Sequence, residues 1–224
     1  MTICVTNDTI PGQARIRTLV LSAVHDELVL RGYREMTLAS IAARAGVDEN
    51  EAESVFVSKE SVLVAHLDRM NGSLLSLLAS IAETSEPVRD RLREVLLTRV
   101  TFRFDMLRPY ARHIEEMREP LLLAMRHRGP VYVEAEARIL ERLLWEGQRR
   151  GIVDLADPVP LARTLLTATS ALLPGETTLN PLPPAREVRR TAGELIDIVI
   201  EGTLLVNWSA LQRESPRIDA TALL

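Results

Sequence analysis

Residues 32–67 read GYREMTLASIAARAGVDENEAESVFVSKESVLVAHL and predict a short helix, a glycine turn, a second short helix and the start of a longer one. Leu38, Ile41 and Ala45 recur at helical spacing, which places them on one apolar face. Thr37 precedes this face and can cap the helix N-terminus with its hydroxyl. Gly46 follows it, where helices commonly end in a left-handed residue that costs glycine little. These signals define both ends of the first short helix.

Capping residues also mark the next two helices. Asp48 can cap a second short helix that would bury Ala52 and Phe56. Ser58 can cap a third helix with Glu60 in its first turn, where a carboxylate interacts favourably with the helix dipole. Two short helices joined by a tight turn form the helix-turn-helix unit, whose second helix enters the major groove of DNA.

This stretch resembles the N-terminal domain of TetR-family transcriptional regulators. The matching residues are Gly32, Tyr33, Thr37, Ile41, Ala42, Ala45, Gly46, Val47, Phe56, Ser58, Lys59, Glu60 and, one place late, Leu63. The resemblance implies an N-terminal three-helix, helix-turn-helix DNA-binding domain at residues 12–57, with the match extending to about residue 72. It also implies a helical-bundle domain for ligand binding and dimerisation at residues 58–208. Residues 1–11 are predicted to form a disordered arm and residues 209–224 a tail.

Hydrophobic periodicity predicts helices along the rest of the chain, and no stretch alternates long enough with a period of two to indicate a strand. The predicted helices span about residues 13–30, 58–83, 87–104, 131–150, 158–173 and 186–208. Pro109, Pro120 and the pair Gly129 and Pro130 are predicted to cut the middle of the chain into short pieces. The prolines between residues 174 and 184 indicate a loop. The predicted fold class is therefore all-α.

Composition limits the compartment and the general class of protein. The chain of 224 residues is 46% apolar with a net charge of −4, which is ordinary for a globular protein and argues against one that coats nucleic acid. Cys4 is the single cysteine, so no internal disulfide can form. The longest apolar run is far shorter than the roughly 20 residues that span a bilayer. We expect a cytoplasmic protein without membrane association.

The sequence does not indicate catalysis. It contains no glycine-rich phosphate loop, nucleophile elbow or paired catalytic constellation. His113 followed by Glu116 and Met117 only faintly resembles a ligand cluster, and no His or Cys spacing typical of a metal site occurs. We therefore expect no enzyme activity, no metal and no cofactor.

The second short helix, which would read DNA, is acidic. Asp48, Glu49, Glu51 and Glu53 lie on or beside it, and residues 13–70 contain seven Lys and Arg against nine Asp and Glu. This matters because most affinity for DNA comes from cations that displace counterions from phosphates. The candidate DNA contacts are Thr37, Ser40 and Lys59 for phosphates, Glu49, Asn50, Glu51 and Ser54 for base edges, and Arg15 and Arg17 as further basic groups.

The resemblance also implies an apolar ligand cavity in the C-terminal two-thirds of the chain. The aromatic, Met and His candidates for its lining are Phe102, Phe104, Met106, Tyr110, His113, Met117, Met125, Tyr132 and Trp145. Residues of these types at helical spacing are more often part of a core, so each has a second interpretation. A hydrophobic compound of modest size is the expected ligand.

The last two predicted helices are apolar on more than one face, as expected for helices buried on two sides. A homodimer interface formed by two copies of both helices would explain this pattern and would match the resemblance. The residues predicted for the interface are Leu161, Leu165, Leu172, Leu195, Ile196 and Val199.

The sequence thus predicts a homodimeric TetR-like repressor that releases operator DNA when a small apolar effector binds. The alternative is a TetR-fold protein whose acidic recognition helix has lost operator binding, and which acts through a ligand or a protein partner. Clustered arginines on the DNA-facing surface would favour the first interpretation, and an unbroken acidic surface would favour the second.

Overall fold

Helices account for all regular secondary structure in the computed structural model, which describes residues 9–151, 157–174 and 181–204. The elements are, in chain order, α1 (Thr9–Glu35), α2 (Leu38–Ala45), α3 (Glu49–Val55), α4 (Lys59–Ala82), α5 (Val88–Leu107), a 3-10 turn (Arg108–Tyr110), α6 (Ile114–Arg149), α7 (Pro158–Ser170) and α8 (Ala185–Leu204). The all-α prediction is confirmed for this part of the chain. The predicted tail, the end of the last predicted helix and residues 1–8 of the predicted arm lie outside the described residues.

The first helix differs from its prediction at both ends. Residues 9–11, predicted as part of a disordered arm, are helical. Pro11 permits this because a proline in the first helical turn lacks only an N–H that has no intrahelical partner. At the other end Gly32 interrupts the helix with φ 76° and ψ 174°, and helical structure resumes to Glu35.

Reciprocal capping boxes begin each of the next three helices. The Thr37 hydroxyl accepts from the Ser40 amide at 3.0 Å, and the Ser40 hydroxyl accepts from the Thr37 amide at 3.0 Å. Asp48 and Ser58 take part in equivalent exchanges at the starts of α3 and α4. Gly46 ends α2 in the left-handed conformation with φ 66°. The helix boundaries predicted from these residues are confirmed.

The predicted break of the middle segment is wrong. Only Pro109 lies between helices, in the 3-10 turn, whereas Pro120 and Pro130 lie inside the continuous helix α6 of 36 residues. Each internal proline removes one backbone hydrogen bond. The helix persists because Ala124 packs into one hydrophobic core and Leu140 into a second.

The two hydrophobic cores are connected by α4 and α6. The N-terminal core collects buried residues of α1, α2, α3 and the start of α4, together with Tyr110, Met117 and Ala124 from much later in the chain. The second core lies among α5, α6, α7, α8 and the end of α4. Because α4 and α6 contribute to both cores, a change in either helix affects the packing of the whole described structure.

The helices of residues 9–151, 157–174 and 181–204 include none that is long and apolar enough to cross a membrane.

A hydrogen-bonded group of three side chains lies where the N-terminal core meets the 3-10 turn. The hydroxyl of Tyr110 is 2.7 Å from Nδ1 of His25 on α1 and 3.0 Å from Nε2 of His66 on α4. Burial lowers the pKa of His66 to about 4, and the nearby charges of Arg69 and His25 act in the same direction. Burial also raises the pKa of Tyr110 to about 12. Both side chains are therefore neutral in the folded protein near pH 7.

The buried imidazole of His66 should make the protein less stable in acid. An unfolded chain takes up this proton near pH 6.5, whereas the folded chain does so only near pH 4, so lowering the pH between these values favours unfolding. The free energy of unfolding should fall by about 1.4 kcal/mol per pH unit in this window. His66→Gln should flatten that dependence in urea titrations between pH 7 and 4.5, whereas His127→Gln, on the surface of α6, should leave it unchanged. An unaltered slope in His66→Gln would contradict this assignment.

Candidate DNA-binding surface and effector cavity

The exposed side chains of α3 are largely acidic and partly occupied by contacts within the helix. Ala52 is buried, and Glu49, Asn50, Glu51, Glu53 and Ser54 are exposed. The Asn50 side chain donates to Asp48 at 2.9 Å, and the Ser54 hydroxyl donates to the Glu51 carbonyl at 2.6 Å. A Glu51 carboxylate oxygen accepts from the Asp48 amide at 2.9 Å. Glu49 and Glu53 have no side-chain partner among the described residues.

Lys59, predicted to contact phosphate, is held against the end of α1. Its Nζ donates to the carbonyls of Tyr33 and Arg34 at 2.9 and 3.3 Å and lies 4.5 Å from the centroid of the Tyr33 ring. The Tyr33 hydroxyl in turn donates to Glu60 at 3.0 Å. Lys59 therefore closes the kinked end of α1, which is a structural role that the sequence did not reveal.

The remaining basic residues of this unit are either exposed or paired with Glu27. Arg15 and Arg17 are exposed on α1, and the Arg17 guanidinium lies 4.6 Å from the centroid of the Phe56 ring. Arg44, at the end of α2, donates to the buried carboxylate of Glu27 at 2.6 Å and so fastens α2 to α1. A cationic surface for phosphates would therefore depend on the exposed arginines Arg15, Arg17 and Arg34.

An apolar cavity of about 180 Å³ lies between α4, α5, α6 and the turn that follows α7. The residues that line it are Leu67, Asn71, Arg103, Met106, Leu107, Arg118, Leu121, Leu122, Met125, Leu173 and Pro174. Of the predicted lining residues, Met106 and Met125 are present. The sequence did not predict the leucines of the lining, because leucines repeat at helical spacing in every core-facing helix. It did not predict Arg103 and Arg118, because arginines on a helix usually face the solvent.

The other predicted lining residues lie elsewhere. Phe104 is buried in the second core and Phe102 packs against it, whereas Tyr110 and Met117 belong to the N-terminal core. The Tyr132 hydroxyl donates to Asp68 at 2.5 Å. These aromatic and Met residues therefore form core or interhelical contacts in the described structure.

Trp145 lies beside a larger, open groove of about 640 Å³ at the other end of α6. Charged side chains dominate that groove, including Arg91, Arg142 and Glu146. Sites for apolar compounds are lined mainly by apolar side chains, so the smaller cavity is the better candidate despite its size.

The first turn of α6 connects the cavity to the helix-turn-helix unit. Glu116 is 3.0 Å from Nδ1 of His113 and accepts weakly, at 3.4 Å, from the Arg34 backbone amide. A Cβ built on Gly32 would lie 1.7 Å from a Glu116 carboxylate oxygen, so glycine alone allows this approach. Arg118, which lines the cavity, follows Glu116 by two positions on the same helix.

Two residues predicted for the dimer interface are buried within the chain itself. Leu165 and Ile196 are both fully enclosed in the second core, so in this structure their side chains are not available to a partner copy. Leu161, Leu172 and Val199 are partly buried against that core. Leu195 is exposed, as is Ile198, which the prediction did not include and which is 70% exposed.

No family model matches the chain, and no curated protein matches it in sequence. Solved structures do match it in fold. A TetR-family transcriptional regulator from Pectobacterium atrosepticum aligns with a TM-score of 0.67 at 18% identity, over 88% of this chain and 98% of the other. A TetR regulator from Haloarcula marismortui aligns with a TM-score of 0.66 at 19% identity, over 85% and 99%. The SmeT–triclosan complex aligns with a TM-score of 0.60 at 20% identity, over 84% and 90%.

These matches extend over the helix-turn-helix unit and the following helices together. The chain therefore has the fold of the DNA-binding transcriptional regulators of the TetR family.

The close approach at Gly32 gives a direct test of how the two parts of the molecule are joined. Gly32→Ala places a methyl group against Glu116 and puts alanine at a positive φ. It should lower the free energy of unfolding by about 1–3 kcal/mol in a urea titration. Gly72→Ala is the matched control, because Gly72 is exposed inside α4 with open space at its Cβ position. That change should stabilise the protein by about 0.5–1 kcal/mol. Wild-type stability in Gly32→Ala would be inconsistent with the described contact.

Proposed function

We propose that the chain is a transcriptional repressor that binds operator DNA as a homodimer through α2 and α3 and releases it when a small apolar effector occupies the cavity. The observation that carries this proposal is the position of α6. One short segment of this helix contributes Arg118 and Leu121 to the cavity and packs Glu116 against Gly32, just ahead of α2.

An effector would act by changing the packing of α6 against α4 and α5. A ligand that favours a shifted α6 also favours a shifted Glu116, and therefore a different orientation of α2 and α3 relative to the bundle. In a dimer, the two recognition helices must be about 34 Å apart to enter successive major grooves. The ligand selects dimers whose helices are badly spaced, which lowers the population that can bind DNA.

A second candidate function has its own support. Lys59 is engaged at the end of α1, Arg44 is paired with Glu27, and Glu49 and Glu53 are exposed on α3. These contacts favour a regulator-fold protein that lacks operator binding and acts through its ligand or a protein partner. A mobility-shift assay with DNA flanking its own gene, at low and near-physiological salt, separates the two functions. Sequence-specific binding supports the first, and its absence at both salt concentrations supports the second.

The acidic residues of α3 should weaken DNA binding. Replacing Glu49 and Glu53 together by Gln removes two negative charges and keeps good helix formers, without touching the capping pair of Asp48 and Glu51. Affinity for non-specific DNA at low salt should rise by roughly tenfold, and the gain should shrink as salt screens the charges. Fluorescence anisotropy over a salt series measures this.

Glu86→Gln is the control for this change, because it removes an exposed carboxylate from the connection between α4 and α5 and should leave DNA binding unchanged. If the Glu49 and Glu53 substitutions abolish sequence-specific binding, these carboxylates read bases and the electrostatic expectation fails.

The exposed sides of α7 and α8 support the dimer. Thr191, Leu195, Ile198 and Gly202 form an exposed stripe of apolar or small residues on α8. A similar stripe of small residues, Pro160, Thr164, Thr167 and Ala171, is exposed on α7 and the turn that follows. Small and apolar side chains allow helices of two copies to approach closely, so a four-helix interface fits this surface.

Charges placed on this stripe should break the dimer. The double substitution of Leu195 and Ile198 by Glu buries two carboxylates in the proposed interface and should give a monomer by light scattering. Val131→Glu is the control, since it places a charge at a similarly exposed apolar residue of α6, which is 60% exposed. The Val131→Glu protein should remain a dimer. A monomeric wild-type protein would exclude this part of the proposal.

A further inference from the structure

A buried cluster of charged groups lies beside the apolar cavity. Arg99 on α5 is 1% exposed and donates to the equally buried Glu136 on α6 at 2.6 Å and to the Thr169 hydroxyl on α7 at 3.0 Å. Arg103, one turn further along α5, donates to the other carboxylate oxygen of Glu136 and to the Arg99 carbonyl. A single carboxylate thus joins two arginines.

The cluster has an excess of positive charge. Two guanidinium groups share one carboxylate, and both Arg99 and Glu136 are removed from water. Burial lowers the pKa of Arg99, and the neighbouring charge of Arg103 adds to that lowering. An unbalanced charge in a low-dielectric interior is costly, and a nearby anion would reduce that cost.

Arg103 makes the positive charge of the cluster accessible from the cavity, because its side chain is 13% exposed and lines the cavity wall. Its guanidinium has five N–H groups, so donors remain after the bonds to Glu136 and Arg99. Arg118 on α6 also lines the cavity, and its ion pair with Glu115 is largely exposed and therefore weak. No Asp or Glu occurs among the described residues of the lining.

The rest of the cavity suits an apolar body. Leucines, two methionines and a proline form most of its wall, from α4, α5, α6 and the turn that follows α7. Its volume of about 180 Å³ limits the ligand to a small molecule. An apolar pocket with two cationic donors and no acid among its described residues selects for an anion with a hydrocarbon portion.

We propose that the effector is a small organic acid, whose carboxylate binds Arg103 and Arg118 and whose hydrocarbon portion lies among the leucines and methionines. This rests on the proposed function of the cavity as the effector site. Binding of the carboxylate restores the charge balance of the Arg99, Glu136 and Arg103 cluster and ties α5 to α6. The ligand therefore acts on the helix whose first turn contacts Gly32.

Matched probes separate the charge from the apolar body. Octanamide has the hydrocarbon chain of octanoate without its charge, and acetate has the charge without the chain. Each of the three compounds is titrated by calorimetry into the full-length protein, below the concentration at which octanoate forms micelles. Octanoate should bind about tenfold more tightly than octanamide, because the two arginines bind a carboxylate more strongly than a neutral amide oxygen. Acetate should bind far more weakly than octanoate, since each buried methylene contributes about fourfold.

Variants on the two arginines test the proposed contacts. Arg103→Gln removes the excess charge and leaves Glu136 paired with Arg99, so no uncompensated charge stays buried and the fold is expected to persist. Octanoate affinity should fall about tenfold, with octanamide unaffected. Arg118→Gln, at a partly exposed position, should lower octanoate affinity by a smaller factor. Arg126→Gln is the control, because this exposed arginine of α6 does not line the cavity.

Each outcome decides between the two proposals. Equal binding of octanoate and octanamide, or no effect of Arg103→Gln and Arg118→Gln, overturns the assignment of an organic acid. Failure of all three probes to bind overturns it too. If octanoate binds through Arg103 but does not change operator affinity in a mobility shift, the ligand class stands and the proposed repressor mechanism fails. If octanamide releases DNA as well as octanoate does, the mechanism stands and the ligand class is wrong.

Discussion

The structure depends on a core that two distant parts of the chain complete together. Tyr110, Met117 and Ala124 lie among residues of α1 to α4, and the Tyr110 hydroxyl joins the imidazoles of His25 and His66. Without these later residues the helix-turn-helix unit would expose part of its apolar surface. The unit and the bundle are consequently one packed structure, and movement of α6 must change contacts on both sides.

Local signals were readable from the sequence, and long-range ones were not. Thr37, Asp48 and Ser58 satisfy the free amides of the next few residues, so their capping roles depend on short spacing. The continuity of α6 through Pro120 and Pro130 depends on packing against helices far away in sequence, so proline chemistry alone predicted a break there. The all-α class was predicted from hydrophobic periodicity along the whole chain, so the wrongly predicted breaks at Pro120 and Pro130 did not affect it.

The candidate site was less predictable for the same reason. The ammonium group of Lys59 is suited to contact a phosphate, but its Nζ donates to backbone carbonyls about 25 residues earlier in the chain. Arg99 and Arg103 look like solvated arginines on a helix until Glu136 is placed opposite them. Residue type indicates what a group can bind, whereas the partner that satisfies it depends on the tertiary fold.

The shared core also determines the order in which the protein can mature on the ribosome. Residues 12–57 emerge first, but the packing around His25 and His66 is completed only when residues 110–124 have been made. At about 5–20 residues per second this delay is on the order of several seconds. During that interval the nascent helix-turn-helix unit exposes apolar surface to which chaperones can bind. The segment that joins the two halves of the finished molecule therefore also sets the time at which its first half becomes fully folded.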